Sequence, residues 1–169
     1  PWPGGEENHI QIDLADPNKT IEAIEGIREK LGGKLHALVN NAGISPKAPG
    51  GGRLNTLETD LRTWGHVFHV NFFASVILAR GLKDELSAAK GAVVNVTSIA
   101  GSRVHPFAGA AYSTSKAALA ALTREMAHDF GPLGVRVNAI APGEIETSIL
   151  SPGTERIVEG LALRRLGQP

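Results

Sequence analysis

The stretch LHALVNNAG, residues 35–43, combines a short apolar run with small polar residues that follow it directly. The run LHALV (35–39) has the length and composition of a buried β-strand. Two later stretches repeat the pattern: AVVNV (92–96) leads into Thr97 and Ser98, and VRVNAI (135–140) leads into a Pro-Gly segment. A fourth run, HIQIDL (9–14), is predicted to be a strand as well. Continuous apolar strands are typical of a parallel sheet that is buried on both faces.

Helical patterns alternate with these strands. Asp16 as N-cap and Pro17 at the first position predict a helix that ends near Leu31, before Gly32-Gly33. Asn55 and Glu58 indicate a capping box that begins a bent helix reaching about residue 89. A further helix is predicted over 111–130. The alternation predicts an α/β fold with a doubly wound parallel sheet (Rossmann-like), covered by helices on both faces, in one partial domain over 1–169.

Polar residues collect where the predicted strands end. They are Asp13, Asn40 to Gly43, Thr97-Ser98, and Pro142 to Thr147. The carboxyl ends of parallel strands meet at one edge of the sheet, and open α/β sheets bind ligands there. The sequence therefore predicts a ligand site at this edge.

Composition excludes several classes of function. Seventeen basic and seventeen acidic residues give no net charge, so no nucleic-acid partner and no membrane surface is expected. Cysteine is absent, which excludes thiolate catalysis and Cys-based zinc sites, and no metal site is predicted. With no signal peptide and no apolar stretch that could span a bilayer, a cytoplasmic location is expected.

The stretch YSTSK (112–116) contains the chain's single tyrosine, four residues before a lysine. This spacing places Tyr112 and Lys116 on one helical face, where their side chains can share a site. The alternative interpretation is an amphipathic helix with a half-buried tyrosine and a solvated lysine.

Six segments together decide between the two interpretations. They are DL (13–14), NNAG (40–43), HVNFF (69–73), NVTSIAG (95–101), YSTSK (112–116) and VRVNAIAPGEIET (135–147). In order and approximate spacing the chain resembles the short-chain dehydrogenase/reductase superfamily over nearly its whole length. The family's N-terminal glycine-rich motif, which seats the cofactor pyrophosphate, has no counterpart here, and the domain is expected to be truncated at both ends.

The resemblance implies four catalytic residues. Tyr112 is expected to be the general acid/base for the substrate oxygen, and Lys116 is expected to lower the pKa of Tyr112 by its charge. Ser98 is expected to donate a hydrogen bond to the substrate oxygen, and Asn71 to hold a water that completes a proton relay. The alternatives are that Ser98 only caps a strand end and that Asn71 only bonds neighbouring backbone.

The resemblance also implies a dinucleotide cofactor, NAD or NADP. The choice between the two stays open, because the strand whose end selects between them in the family has no counterpart here. The expected cofactor-binding residues are Asp13, Leu14, Asn40, Ala42, Gly43, Tyr112, Lys116, Pro142, Gly143, Ile145 and Thr147. His105 and His128 lack a partner motif and are interpreted as structural or exposed.

The function implied is hydride transfer between nicotinamide and a small carbonyl compound or secondary alcohol. Two alternatives remain: a 3-oxoacyl-carrier-protein reductase, because PGEIETSI (142–149) is similar to that subgroup, and a non-catalytic assembly or regulatory member. Residues 64–79 are apolar almost all round, which predicts a homodimer or homotetramer.

In the family's strand order, 3-2-1-4-5-6, residues 9–14 correspond to strand three and residues 35–39 to strand four. Three strand spacings, about 14 Å in all, are expected to separate them, with no direct backbone pairing.

Overall fold

A computed structural model of the protein describes residues 5–150 and 153–169. Its sheet consists of β1 (Ala37–Asn40), β2 (Ala92–Val96) and β3 (Arg136–Ile140), all parallel and in the order β1-β2-β3. Leu38, Val93 and Val137 align across the three strands. The predicted parallel α/β fold is confirmed, and the three strands follow the order expected of strands four to six.

Helices occupy most of the remaining chain. They are α1 (Pro17–Leu31), α2 (Leu61–Phe68), α3 (Ala74–Gly81), α4 (Lys83–Ala89), α5 (Ala110–Phe130) and α6 (Glu155–Val158). A π-helical turn, His69–Phe73, joins α2 to α3, and short 3-10 turns lie at Glu6–Asn8, Ile99–Gly101 and Gly131–Leu133. The predicted helix over 111–130 is confirmed as α5, and the helical stretch predicted up to residue 89 is divided by the π-helical turn and at Leu82.

Helix α1 has the predicted ends. The Asp16 side chain accepts hydrogen bonds from the backbone N–H groups of Asn18 and Lys19, at 2.9 and 3.3 Å. At the other end, Gly32 adopts a left-handed conformation with φ 59°, which glycine adopts without steric cost.

The predicted helix start at Asn55 is wrong. Asn55 Oδ1 accepts from the backbone N–H groups of Leu57 and Glu58, both at 2.9 Å, but the turn that follows is not helical. The Glu58 carboxylate accepts from the side-chain amide of Asn55, at 2.5 Å, instead of from its backbone N–H. A capping box needs that backbone contact, and the helix begins only at Leu61, after Asp60 accepts from Thr63 N at 2.8 Å.

In the described part of the chain, the helices cover one face of the sheet. On that face Val93 and Val137 are buried in one cluster with Ala79, Leu86, Met126, Phe130 and Val135. On the opposite face Val39 is 58% exposed and Ile140 is 54% exposed. Right-handed crossovers between strands that advance in one direction place their connecting helices on the same face. The predicted cover of the second face is therefore not found among the described residues.

Residues 9–14 do not form the predicted strand. An extended segment becomes part of a sheet only when its backbone groups pair with a neighbour, and among the described residues β1 pairs with β2 alone. The predicted lack of direct pairing between 9–14 and 35–39 is thus confirmed. An open apolar cavity of about 390 Å³ lies between the two segments, lined among others by Ile10, Ile12, Leu14, Leu35, Leu38 and Leu78.

Gly91, directly before β2, lies very close to the backbone of Leu35 and His36. A Cβ atom at this position would lie 2.5 Å from Leu35 O and 3.0 Å from His36 O. The backbone cannot easily move away, because Gly91 N donates to Leu86 O at 2.9 Å and Ala92 N donates to His36 O at 3.0 Å.

Gly91→Ala in the full-length protein is therefore expected to lower the free energy of unfolding by about 2 kcal/mol, the usual cost of forcing an extra carbon into a packed site. The matched control is Gly26→Ala on the exposed surface of α1, where a Cβ meets nothing within 4 Å. That control is expected to gain about 0.5–1 kcal/mol from helix propensity. Denaturant unfolding measures both, and a Gly91→Ala protein as stable as wild type would contradict the close approach.

Candidate active site

A cavity of about 350 Å³ opens at the carboxyl ends of the three strands, the edge that the sequence predicts. Polar or small residues follow each strand there and face the start of α5. Eight of the predicted catalytic and cofactor-binding residues line the cavity: Gly43, Ser98, Tyr112, Lys116, Pro142, Gly143, Ile145 and Thr147. We call this space the cofactor cavity.

Lys116 lies one turn after Tyr112 on α5. Its Nζ is 5.9 Å from the centroid of the Tyr112 ring and donates a hydrogen bond to Val96 O at 2.7 Å. The residue is only 3% exposed. Burial penalises the ammonium form and lowers the pKa of Lys116 to about 8.

The pKa of Tyr112 is raised above its usual value of 10.0. Burial of the phenol is the main cause and the negative charge of Glu144 adds to it, whereas a hydrogen bond with the Ser98 side chain acts in the opposite direction. The predicted lowering by Lys116 is therefore wrong for this chain, because desolvation of the phenolate dominates. At neutral pH Tyr112 carries its proton.

Ser98 lies at the end of β2 and lines the cofactor cavity. Its Oγ also accepts a hydrogen bond from Ala100 N at 3.2 Å, which caps the short turn Ile99–Gly101. Ser98 thus caps this turn and also lines the same cavity as Tyr112.

Asn71 is fully buried in the π-helical turn behind the cavity. Its Oδ1 accepts from Ile44 N at 2.8 Å, and its Nδ2 donates to Ile44 O and to Ser115 Oγ, both at 3.0 Å. Ser115 Oγ donates in turn to the backbone carbonyl of Tyr112 at 2.7 Å. This chain of hydrogen bonds connects the loop after β1 to the helical turn that carries Tyr112, and π-helical turns are frequent at functional sites.

The residues at one end of the cofactor cavity fit a nucleotide cofactor. A Cβ atom on Gly43 would lie 3.3 Å from Lys116 Nζ and 3.6 Å from Asn71 Oδ1, so glycine keeps the approach to Lys116 open. Lys116 supplies a hydrogen-bond donor for ribose hydroxyls, and Thr147 supplies a hydroxyl that lines the same cavity.

The remaining predicted cofactor residues do not line this cavity. Asn40 is buried, and its side-chain amide donates to Asn95 Oδ1 at 2.8 Å. Asp13 is exposed and accepts from Ala15 N at 3.0 Å, while Leu14 lines the apolar cavity beside β1. Ala42 is exposed next to Gly43.

Sequence reasoning missed a second group of residues. A smaller cavity of about 70 Å³, which we call the substrate pocket, adjoins the cofactor cavity and shares Ser98 and Tyr112 with it. Its walls also carry Lys47, His105 and Glu144. The hydrogen bonds of His105 fit the structural interpretation of this residue, and its Nε2 lies 2.6 Å from Glu144 Oε1. His128 is exposed, as interpreted. One feature of the sequence could have indicated this pocket: Glu144 places an acidic side chain directly after Pro142-Gly143, within the segment predicted to bind the cofactor.

Two further features concern the described residues as a whole. None of their helices has the length and apolar character needed to cross a bilayer. No group of three or more His, Cys, Asp or Glu side chains among them is placed to hold a metal ion.

Comparison with known proteins identifies the family. A family model described as short chain dehydrogenase matches residues 4–157. The chain belongs to the short-chain dehydrogenase family. Protein FixR of Bradyrhizobium diazoefficiens is 60% identical over 171 residues, an alignment that covers all of this chain and 62% of FixR.

Solved structures agree with this assignment. A short-chain dehydrogenase/reductase family oxidoreductase from Brucella ovis, in complex with a partially ordered NAD, is 69% identical, with a TM-score of 0.84 over 88% of this chain and 68% of that protein. A 3-oxoacyl-[acyl-carrier protein] reductase with bound NAD from Brucella melitensis is 32% identical, with a TM-score of 0.81 over 95% of this chain and 59% of that protein. The chain thus spans between 59% and 68% of the length of these relatives.

Proposed function

We propose that the protein is an NAD(P)-dependent oxidoreductase that transfers a hydride between nicotinamide and the carbon of a small carbonyl compound or secondary alcohol. The observation that carries this proposal is the cofactor cavity, where Ser98, Tyr112 and Lys116 from two different elements line one space at the strand ends. The NAD bound by the Brucella ovis relative supports the choice of cofactor class.

The chain's own residues have separate roles in this chemistry. The bound dinucleotide supplies or receives the hydride. Tyr112 transfers a proton to or from the substrate oxygen, and Ser98 donates a hydrogen bond to the same oxygen. Lys116 binds the nicotinamide ribose, and Asn71 holds the loop after β1 against α5 through Ile44 and Ser115.

The raised pKa of Tyr112 sets the pH dependence of the two directions. The protonated phenol is the general acid for reduction, and the phenolate is the general base for oxidation. In the full-length protein, oxidation of secondary alcohols with NAD or NADP is expected to rise with pH up to pH 10, because the phenolate fraction grows. Reduction of the matching ketones with NADH or NADPH is expected to stay level over the same range, because the phenol keeps its proton until the pH passes the raised pKa. Steady-state rates between pH 6 and 10 measure this, and parallel profiles in the two directions would argue against a shared acid/base group.

A 3-oxoacyl-carrier-protein reductase is the second candidate. It is supported by the likeness to the Brucella melitensis reductase at 32% identity. A 3-oxoacyl thioester reduced far faster than simple ketones would favour it. A full-length protein that binds NAD(P) but oxidises no alcohol would instead favour the non-catalytic alternative.

The proposal includes a homodimer or homotetramer. The aromatic rings of Trp64, Phe68 and Phe72 lie next to one another along α2 and the π-helical turn, and Phe73 beside them is an exposed large apolar residue. Exposed apolar surface of this kind is typical of a subunit contact. Light scattering at micromolar concentration is expected to give at least twice the monomer mass, and a monomer would contradict this part of the proposal.

A further inference from the structure

Glu144 places a carboxylate in the substrate pocket, beside Ser98 and Tyr112. The side chain is only 7% exposed, and its partner His105 is 11% exposed. A carboxylate so far removed from water loses solvation, so each of its oxygens needs a hydrogen-bond donor.

The hydrogen bonds of His105 determine the protonation state of this pair. His105 Nδ1 accepts from the backbone N–H groups of Phe107 and Ala108, at 3.3 and 3.2 Å, so this nitrogen carries no proton. The proton of the neutral ring therefore resides on Nε2, which donates to Glu144 Oε1 at 2.6 Å. The pair keeps the negative charge of the carboxylate.

Both members of the pair are held in place. The two backbone N–H groups orient the imidazole, and the backbone carbonyl of Glu144 accepts from Gly167 N at 2.8 Å. The carboxylate thus has a fixed position relative to Tyr112, as a recognition group needs.

The other charged groups at the pocket leave this carboxylate available. Lys47, on the loop after β1, donates to Ser45 Oγ and Phe107 O, both at 3.2 Å. Lys116 donates to Val96 O on the cofactor side of Tyr112. Within the described ranges, His105 is the one basic side chain within 4 Å of the Glu144 carboxylate, and its Nε2 contacts Oε1.

We propose that Glu144 is a specificity-determining residue that accepts a hydrogen bond from a donor group on the substrate, a hydroxyl or an ammonium, carried close to the reacting carbon. His105 is the positioning residue that holds the carboxylate. The inference rests on the proposed function, and it narrows the substrate class to alcohols and carbonyl compounds with such a donor. The pocket measures about 70 Å³, so a donor at Glu144 lies only a few bonds from an oxygen at Tyr112.

The test compares four alcohols as substrates of the full-length protein with saturating NAD or NADP: cyclohexanol, cyclohexane-1,2-diol, 2-aminocyclohexanol and 2-hydroxycyclohexanecarboxylate. The diol and the amino alcohol are expected to show kcat/KM values at least about tenfold above cyclohexanol, because only these two carry a group that can donate a hydrogen bond to the buried carboxylate. The hydroxy acid is expected to fall below cyclohexanol, because two carboxylates repel each other.

Glu144→Gln separates charge from hydrogen bonding. The amide oxygen still accepts a hydrogen bond but carries no charge, so the amino alcohol is expected to lose about tenfold of its advantage and the diol less. The matched control is Glu146→Gln, the same change two residues along at an exposed side chain, which is expected to leave all four ratios unchanged.

The outcomes separate the inference from the proposed function. If wild type oxidises cyclohexanol with no advantage for either donor-bearing compound, the inference is wrong and the proposed function stands, whether or not Glu144→Gln folds. If the preference exists but Glu144→Gln preserves it in full for the amino alcohol, the inference is also wrong. If none of the four compounds is oxidised, the proposed function fails for this class and the inference falls with it.

Discussion

Tyr112→Phe in the full-length protein is expected to lower turnover by at least about 100-fold, the lower end of what a positioned acid/base group contributes. The phenylalanine ring fills the same space between the two cavities, so only the proton-transfer group is lost. Cofactor affinity is expected to change by less than about threefold, because Lys116 keeps its hydrogen bond to Val96 O and its place at the cofactor cavity.

The matched control is Thr114→Ala, two residues along α5 and exposed to solvent. Thr114 Oγ1 donates only to Ala110 O within the helix, at 2.8 Å, so this variant is expected to keep the wild-type rate. Steady-state kinetics give the rate, and titration of the intrinsic fluorescence with NADH or NADPH gives the affinity. A Tyr112→Phe protein that retains more than a few per cent of the wild-type rate would remove Tyr112 from its assigned role.

Local sequence patterns predicted those elements whose signals lie within a few residues. Strand β2 has the predicted bounds, and α1 begins after Asp16 and ends at Gly32 as expected, because caps and apolar runs act over one or two turns. The start of α2 was mispredicted, since Asn55 and Glu58 have the residue types of a capping box without its backbone contact.

Features that depend on distant neighbours were not predictable in the same way. Whether residues 9–14 form a strand depends on the presence of a paired neighbour, which composition does not reveal. The π-helical turn at Asn71 has no pattern of its own in the sequence. Asn71 in this turn bonds to Ile44, 27 residues away in the chain, and such a contact leaves no mark in the local sequence.

The candidate site shows the same division. Tyr112, Ser98, Lys116 and the 142–147 segment were predicted to meet, because parallel strands deliver their ends to one edge. The upward shift of the Tyr112 pKa was not predicted, because the cost of burying the phenolate depends on packing that no sequence motif shows. The contact between His105 and Glu144 joins residues 39 positions apart and has no motif spacing.

Lys116→Met is expected to separate stability from activity. Lys116 is buried, and none of the described carboxylates lies within 4 Å of it, so its charged form is costly at neutral pH. Methionine has similar length and no charge. The substitution forfeits the hydrogen bond to Val96 O, yet the full-length protein without cofactor is expected to gain about 1 kcal/mol in free energy of unfolding at pH 7. Turnover is expected to fall at least about 100-fold, because Lys116 is proposed to bind the nicotinamide ribose and a misplaced cofactor loses the geometry that hydride transfer needs.

The pH dependence of that gain tests its cause. The pKa of Lys116 is about 8 in the folded chain, against 10.5 as the ordinary value. Below pH 8 both states bind the proton, and wild type bears the full cost of the buried charge. Between about 8 and 10.5 the folded state releases its proton first, so wild-type stability rises with pH and the advantage of methionine shrinks. Denaturant unfolding at pH 7 and pH 10 measures this, with Lys34→Met, the same substitution at an exposed site, as the control. An advantage that is equal at both pH values would mean that packing, and not the charge of Lys116, causes it.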